Sequence, residues 1–242
     1  MGNPSQRRLS FLRWLATEDY RVALLAPALP LDVLLTENPA RTAIEAVAES
    51  RANLVVTEWP GHADPGRQRV RRLLDALIAE TRLNLALIRL APHAVASPLT
   101  PASVLVPIRG GPSAKLAARI ARSICDITGA EMTLLHVQDR RDHPDRIRRE
   151  SRAFRSLADT IAGARSSRLE MSSDSPVTAL LDMATDFDLA VMGTRLEARA
   201  SSRLLAATMA RMLQRLEVTV ILARSGEGST WTARRFAREP AG

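Results

Sequence analysis

The chain has 242 residues, room for one large domain or two small ones, and its 34 basic and 26 acidic side chains leave a formal charge of +8. Hydrophobic residues reach 46% but aromatics only 3%, so any core has to be filled with Ala, Leu, Val, Ile and Met. A lone cysteine, Cys125, excludes an intrachain disulfide framework and suits a reducing compartment, and no apolar run approaches the roughly 20 residues that cross a bilayer.

In chain order, Met1 to Gln6 reads as disordered. Arg7-Arg-Leu-Ser-Phe-Leu-Arg-Trp-Leu15 reads as a short basic amphipathic helix, Phe11 and Leu15 being four apart with Leu12 nearby. Two destinations stand open for it, its own domain or peripheral contact with a membrane surface. Arg13, Glu18 and Asp19 interrupt the N-terminal apolar segment, which argues against a signal peptide and for a cytoplasmic protein. Arg21-Val-Ala-Leu-Leu-Ala26 predicts a strand stopped by Pro27. Asn38 and Pro39 form an N-cap and N1 pair that opens a helix to about Arg51. Asn53-Leu-Val-Val-Thr57 predicts a strand, Trp59 to Gly66 a loop, Arg67 to Arg82 a helix, and Leu83 to Leu90 a strand. Pro92, Pro98 and Pro101 mark 91–102 as a linker.

The second half then runs in full. Strands are predicted at Val104 to Ile108, Glu131 to Val137, Arg165 to Met171 (an edge), Leu189 to Met192 and Val218 to Leu222. Helices fall between them at Ser113–Thr128, Asp145–Ala162, Pro176–Thr185 and about Ser202–Leu216. Ser225 to Gly242 reads as a disordered tail. Strands alternating with helices predict parallel sheets with right-handed crossovers.

Part of this pattern occurs twice. One constant offset, without a gap, lays Asn53 to Thr57 over Asp188 to Met192 and Leu85 to Ile88 over Val220 to Ala223. Leu74, Leu77 and Ile78 then fall on Met209, Met212 and Leu213. The period is too long for a solenoid, so the reading is a tandem duplication. The expected layout is a basic segment over 1–19, a truncated domain over 20–90, the linker, a complete domain over 103–225 and the tail over 226–242.

Four stretches carry a family resemblance: Val104-Leu-Val-Pro-Ile-Arg-Gly110, Met132-Thr-Leu-Leu-His-Val137, Asp188-Leu-Ala-Val-Met-Gly-Thr194 and Arg203-Leu-Leu-Ala-Ala-Thr208. Together they resemble the universal stress protein domain. The resemblance covers about 103–224 and, through the repeat, reaches 39–90 more weakly. It implies an α/β fold of two tandem Rossmann-like (adenine nucleotide alpha hydrolase-like) domains, with strand order 3-2-1-4-5 in the second. It also implies pairing through last strands, so a tandem chain is similar to a built-in dimer, alone or as part of a homo-oligomer. The Arg109-Gly-Gly-Pro112 turn is similar to such domains found as cytoplasmic tails of membrane transporters, which implies a transporter or other protein partner.

In the ATP-binding branch of that family an aspartate ends the first strand and a Gly-x-x-Gly-x9-Gly-Ser/Thr loop wraps the phosphates, using backbone amides at a helix N-terminus. Carried onto this chain, the site would comprise Ile108, Arg109, Gly110, Val137, Met192, Gly193, Thr194, Arg195, Ala207 and Thr208. The chain departs from the pattern at most of these positions. Arg109 holds the aspartate position, Leu196 the second glycine, and Ala206, or Ala207-Thr208 with one residue inserted, the Gly-Ser pair. In the first copy Glu58 lies over Gly193, and no phosphate loop is recognisable.

Two readings of the second copy stand open. In one, Arg195, Arg199 and Arg203 compensate, and ATP or AMP still binds. In the other, the loop is a remnant in a non-catalytic regulatory or stress-response module. Catalysis is not expected, since no Walker loop, nucleophile elbow or zinc-protease helix is present. Nor do the four histidines show metal-ligand spacing, and Cys125 reads as a core thiol. The basic balance is carried by arginine, Lys115 being the one lysine, and reads as a solvated surface; a nucleic-acid partner is not expected.

Overall fold

The computed structural model describes residues 38–49, 53–59, 68–80, 83–91, 100–161, 163–194 and 207–226. The expected strand at 21–26, the basic segment at 7–15, most of the 91–102 linker and the tail beyond Gly226 lie outside these residues.

The chain alternates as expected. Helix α1 (Pro39–Glu49) opens on Asn38, whose side-chain oxygen accepts from the Arg41 amide at 3.2 Å. Strand β1 (Leu54–Glu58), helix α2 (Gln68–Glu80) and strand β2 (Asn84–Arg89) complete the first half. The second half runs β3 (Ser103–Pro107), α3 (Pro112–Thr128), β4 (Glu131–Asp139), α4 (Pro144–Ile161), β5 (Ser166–Ser173), α5 (Pro176–Ala184), β6 (Leu189–Gly193), α6 (Ala207–Arg215) and β7 (Thr219–Arg224). Pro112 supplies the first residue of α3, where its missing N–H costs nothing. Gly129 ends that helix in the left-handed region at φ 76°, its N–H donating to the Cys125 carbonyl at 2.8 Å.

All seven strands lie in one sheet, ordered β1-β2-β7-β6-β3-β4-β5. Counted from β3 in chain order, the five strands of the second half stand 3-2-1-4-5, every neighbouring pair parallel. Strands β1 and β2 are also parallel. The sheets expected for two domains are therefore one, because β2 pairs antiparallel with β7. The physical reason is edge chemistry. Both strands are apolar on both faces, and each carries a row of backbone donors and acceptors that a buried position obliges to pair.

This seam has a symmetric register. Leu87 faces Leu222, and the flanking pairs are Ala86 with Ala223 and Ile88 with Ile221. The offset of the sequence repeat carries Leu87 onto Leu222, Ala86 onto Ile221 and Ile88 onto Ala223. The flanking pairs thus exchange, as a local two-fold axis through Leu87–Leu222 requires. Element bounds obey the same shift: Leu54–Glu58 goes onto Leu189–Gly193, and Asn84–Arg89 onto Thr219–Arg224. So do two backbone bonds beyond the strands, Trp59 N–H to Ile88 O at 2.8 Å and Thr194 N–H to Ala223 O at 2.9 Å.

The sheet divides the core into two layers. On one side Val104, Val106, Val191 and Ile221 lie under α3 and α4. On the other, Leu85, Leu87, Val220 and Leu222 lie under α2, α5 and α6. Each fully buried Leu, Ile or Val contributes about 1.5–3 kcal/mol by leaving water. With few aromatics, packing relies on small residues: Ala114, Ala117, Ala118 and Ala121 let α3 sit close to the sheet.

Candidate functional site

The second half changes direction between β3 and β6, since the chain builds outward to β5 and then returns to the other side of β3. In open α/β sheets a crevice at the carboxyl ends of such strands is where ligands lodge. Here that place is formed by the β3–α3 turn, the start of α3, and the ends of β4, β6 and β7.

Ile108 follows β3 and is buried at 2%, its N–H donating to Leu135 O at 2.8 Å. Its carbonyl accepts from Nδ1 of His136 at 2.9 Å, which fixes the proton of that ring on Nδ1. His136 is 1% exposed and stacks on Phe154 with ring centroids 5.4 Å apart, so this histidine is a buried brace for the turn. Arg109 is exposed. Gly110 and Gly111 follow with φ of 97° and 86°, a pair of left-handed positions that suits glycine at both.

At the end of β6, Met192 is buried, Gly193 half-buried and Thr194 7% exposed. A Cβ on Gly193 would lie 2.6 Å from both the Ala114 nitrogen and the Ser113 carbonyl carbon. The absent side chain is thus explained by the backbone of α3, which presses on the strand at this point. The end of β7 joins the same contact through the Ser225 N–H, which donates to Ser113 Oγ at 3.1 Å.

The expected residues do not form one surface. Ile108 is part of the α3 layer, whereas Met192 and Val137 belong to the opposite one. Arg109, Gly110, Gly193 and Thr194 do come to the same end of the sheet. Ala207 begins α6 and Thr208 is exposed in its first turn. Arg195, Leu196, Arg199, Arg203 and Ala206 lie outside the described residues.

One carboxylate at this end is Asp139, last in β4. Arg141 grips it with a fork, Nε to Oδ1 at 2.9 Å and Nη2 to Oδ2 at 2.8 Å, and adds its backbone N–H at 3.0 Å. These bonds pull the Asp139 carboxyl down to about 2, and the charge of Arg109 adds to the effect. Sequence reading ends this strand at Val137, two residues short of Asp139. It misses the link to Arg109, which follows a different strand, β3.

Beside this end, under α4, lies a polar layer that the sequence did not announce. Gln138 Nε2 donates to Ser151 Oγ at 2.7 Å, and Arg155 Nε donates to Glu170 Oε1 at 2.8 Å. The Arg155 bond is the main reason the Glu170 carboxyl titrates below its usual range. At the opposite ends of the strands a groove of about 500 Å³ runs past Arg122, Cys125, Asp126 and Arg165. Burial pushes the Cys125 thiol up to about 11, which leaves it protonated and inert as a nucleophile at neutral pH. Among the described residues no group of three or more His, Cys, Asp or Glu side chains is placed to hold a metal, and no helix is long and apolar enough to cross a membrane.

No family model and no curated protein matches the chain. Solved structures do. A universal stress protein from Archaeoglobus fulgidus DSM 4304 superposes with a TM-score of 0.52 over 92% of this chain and 78% of its own, at 17% identity. The cytoplasmic domain of a prokaryotic cation chloride cotransporter superposes with a TM-score of 0.54 over 77% of this chain and 70% of its own, at 13% identity. A universal stress protein in complex with cAMP covers 52% of this chain and 99% of its own at 19% identity, with a TM-score of 0.42. From the first two likenesses, the chain has the universal stress protein fold.

Proposed function

We propose that the chain is a non-catalytic, cytoplasmic regulatory or stress-response module built from two copies of one α/β domain, the first truncated. On this reading the second copy keeps a degenerate nucleotide site and the first has none. The observation that carries the reading is Gly193. It is the one glycine of the phosphate pattern left at its place, and its lack of a side chain is accounted for by the α3 backbone 2.6 Å from where a Cβ would stand. Nothing in the retained motif then calls for a phosphate. Arg109 supports the same view, since a guanidinium cannot accept from a ribose hydroxyl and Asp139 is already engaged by Arg141. Support for the duplication comes from the two-fold register of the β2–β7 seam.

Equilibrium dialysis with labelled ATP and AMP tests the proposal. The expected result is no tight stoichiometric binding, with any weak binding weakened further by salt and by loss of Arg195, Arg199 or Arg203. Tight binding that survives both would overturn it. A second reading, as a regulatory partner domain of a membrane transporter, is favoured by the cotransporter likeness, which spans 77% of this chain. Co-purification of a membrane transporter with the tagged protein from its own cells is the outcome expected of that reading.

A further inference from the structure

Strand β5 is the longer of the two outermost described strands, with eight residues against five in β1. One side of it is fully paired with β4, from Met132 with Ser166 to Asp139 with Ser173. The Arg165 and Ser173 carbonyls both point at β4, accepting from the N–H of Met132 at 2.9 Å and of Arg140 at 3.1 Å. Backbone groups alternate in direction along a strand, so Arg168, Glu170 and Ser172 turn their N–H and C=O groups away from β4. No described residue pairs with this outward row. Helix α4 packs mainly on β4 and meets β5 through its side chains, which leaves the edge itself open. Such a row is a template for one more strand.

The side chains decide which strand fits. Leu169 packs toward the α5 layer, whereas Arg168 and Glu170 lie on the α4 side, where they meet Asp159 and Arg155. Neither charge is used up: Arg168 is 42% exposed and Glu170 25%, and both groups have hydrogen-bonding positions to spare. A second β5 laid antiparallel on this edge satisfies the ladder only where outward residues face outward residues. Near the middle of the strand, the two-fold axis can then stand at Arg168, Leu169 or Glu170. At Arg168 it sets two arginines face to face, and at Glu170 two carboxylates, both unfavourable. At Leu169 it sets Arg168 of each copy opposite Glu170 of the other, and Leu169 against itself. The β2–β7 seam already joins two edges in this manner, antiparallel about Leu87–Leu222. We propose that two copies of the chain pair antiparallel through β5 about Leu169, which extends the sheet across both molecules. An edge that complements itself under a two-fold axis selects a second copy over a foreign strand.

Sedimentation equilibrium of the full chain tests this, with a reversible species of twice 26.5 kDa expected as concentration rises. Arg168→Glu and Glu170→Arg each set like charges opposite one another, so each variant alone is expected to dimerise about tenfold more weakly or worse. Mixing the two variants restores both matches, and a heterodimer is expected where neither variant pairs with itself. A second measurement holds even where a charge variant misfolds. The axis brings Leu169 of the two copies within about 4.5 Å at Cα, so mild oxidation of Leu169→Cys is expected to link them. Ser172→Cys, about 20 Å from its own counterpart along the pair of strands, stays unlinked as the control. A chain that remains at 26.5 kDa at every concentration, with no link through Leu169→Cys, overturns the proposal. A dimer that neither charge reversal weakens overturns it as well, because association then belongs to a different surface.

Discussion

Gly193 shows how one missing methyl group can hold a layer in place. Gly193→Ala puts a carbon into the first turn of α3, so the helix has to back away from β6, and the expected loss is about 1–3 kcal/mol in a urea melt. Asp139 supplies a pH signature. Its folded value near 2 lies below the ordinary 3.8, so the stability it contributes is fully present above about pH 4 and is lost as pH falls through 2. A carboxyl-carbon NMR titration should place its midpoint near 2, and Arg141→Ala should return the midpoint toward 3.8. The sequence marks both residues, Gly193 as the turn after an apolar run and Asp139 as an acid beside arginines. It cannot mark what they touch, because Ser113 and Ala114 come from a helix three strands before Gly193 in the chain and contact is set by how closely α3 packs. His136 is a similar case: its position near a strand end is legible, but its bond to the Ile108 carbonyl is not.

At the scale of elements, Arg89 ties β2 to the segment entering β7. Its Nη2 donates to the Leu216 carbonyl at 2.6 Å and to that of Val218 at 2.8 Å, so it closes the end of α6 from across the seam. Arg89→Met keeps the apolar stem and removes both bonds. The expected cost is roughly 1–2 kcal/mol, with faster amide exchange at 216–219. The elements themselves were legible because their periodicity is local: apolar runs such as Leu189 to Met192 and turn residues such as Gly129 do not depend on distant partners. The β2–β7 pairing joins two edges from opposite halves of the chain, so local pattern alone predicts two sheets where the molecule has one, whereas the family resemblance, through pairing of last strands, implies this seam.

For the whole molecule, the seam consumes the β7 edge, which leaves β1 and β5 as the outermost described strands. Pairing of two copies through β7 is therefore blocked, and sedimentation equilibrium should return a species of 26.5 kDa unless another surface associates. Joining the halves within one chain also makes their association independent of dilution, since the effective concentration of one strand for the other is set by the tether rather than by the number of molecules in solution. It further makes the halves unequal. An assembly of two identical subunits presents paired sites that can influence each other, whereas this seam joins a half in which Gly193 packs against α3 to one whose sequence has Glu58 at the corresponding position. On the proposed reading, with a site kept in the second half alone, any small-molecule isotherm should be a simple hyperbola with a Hill coefficient of about one.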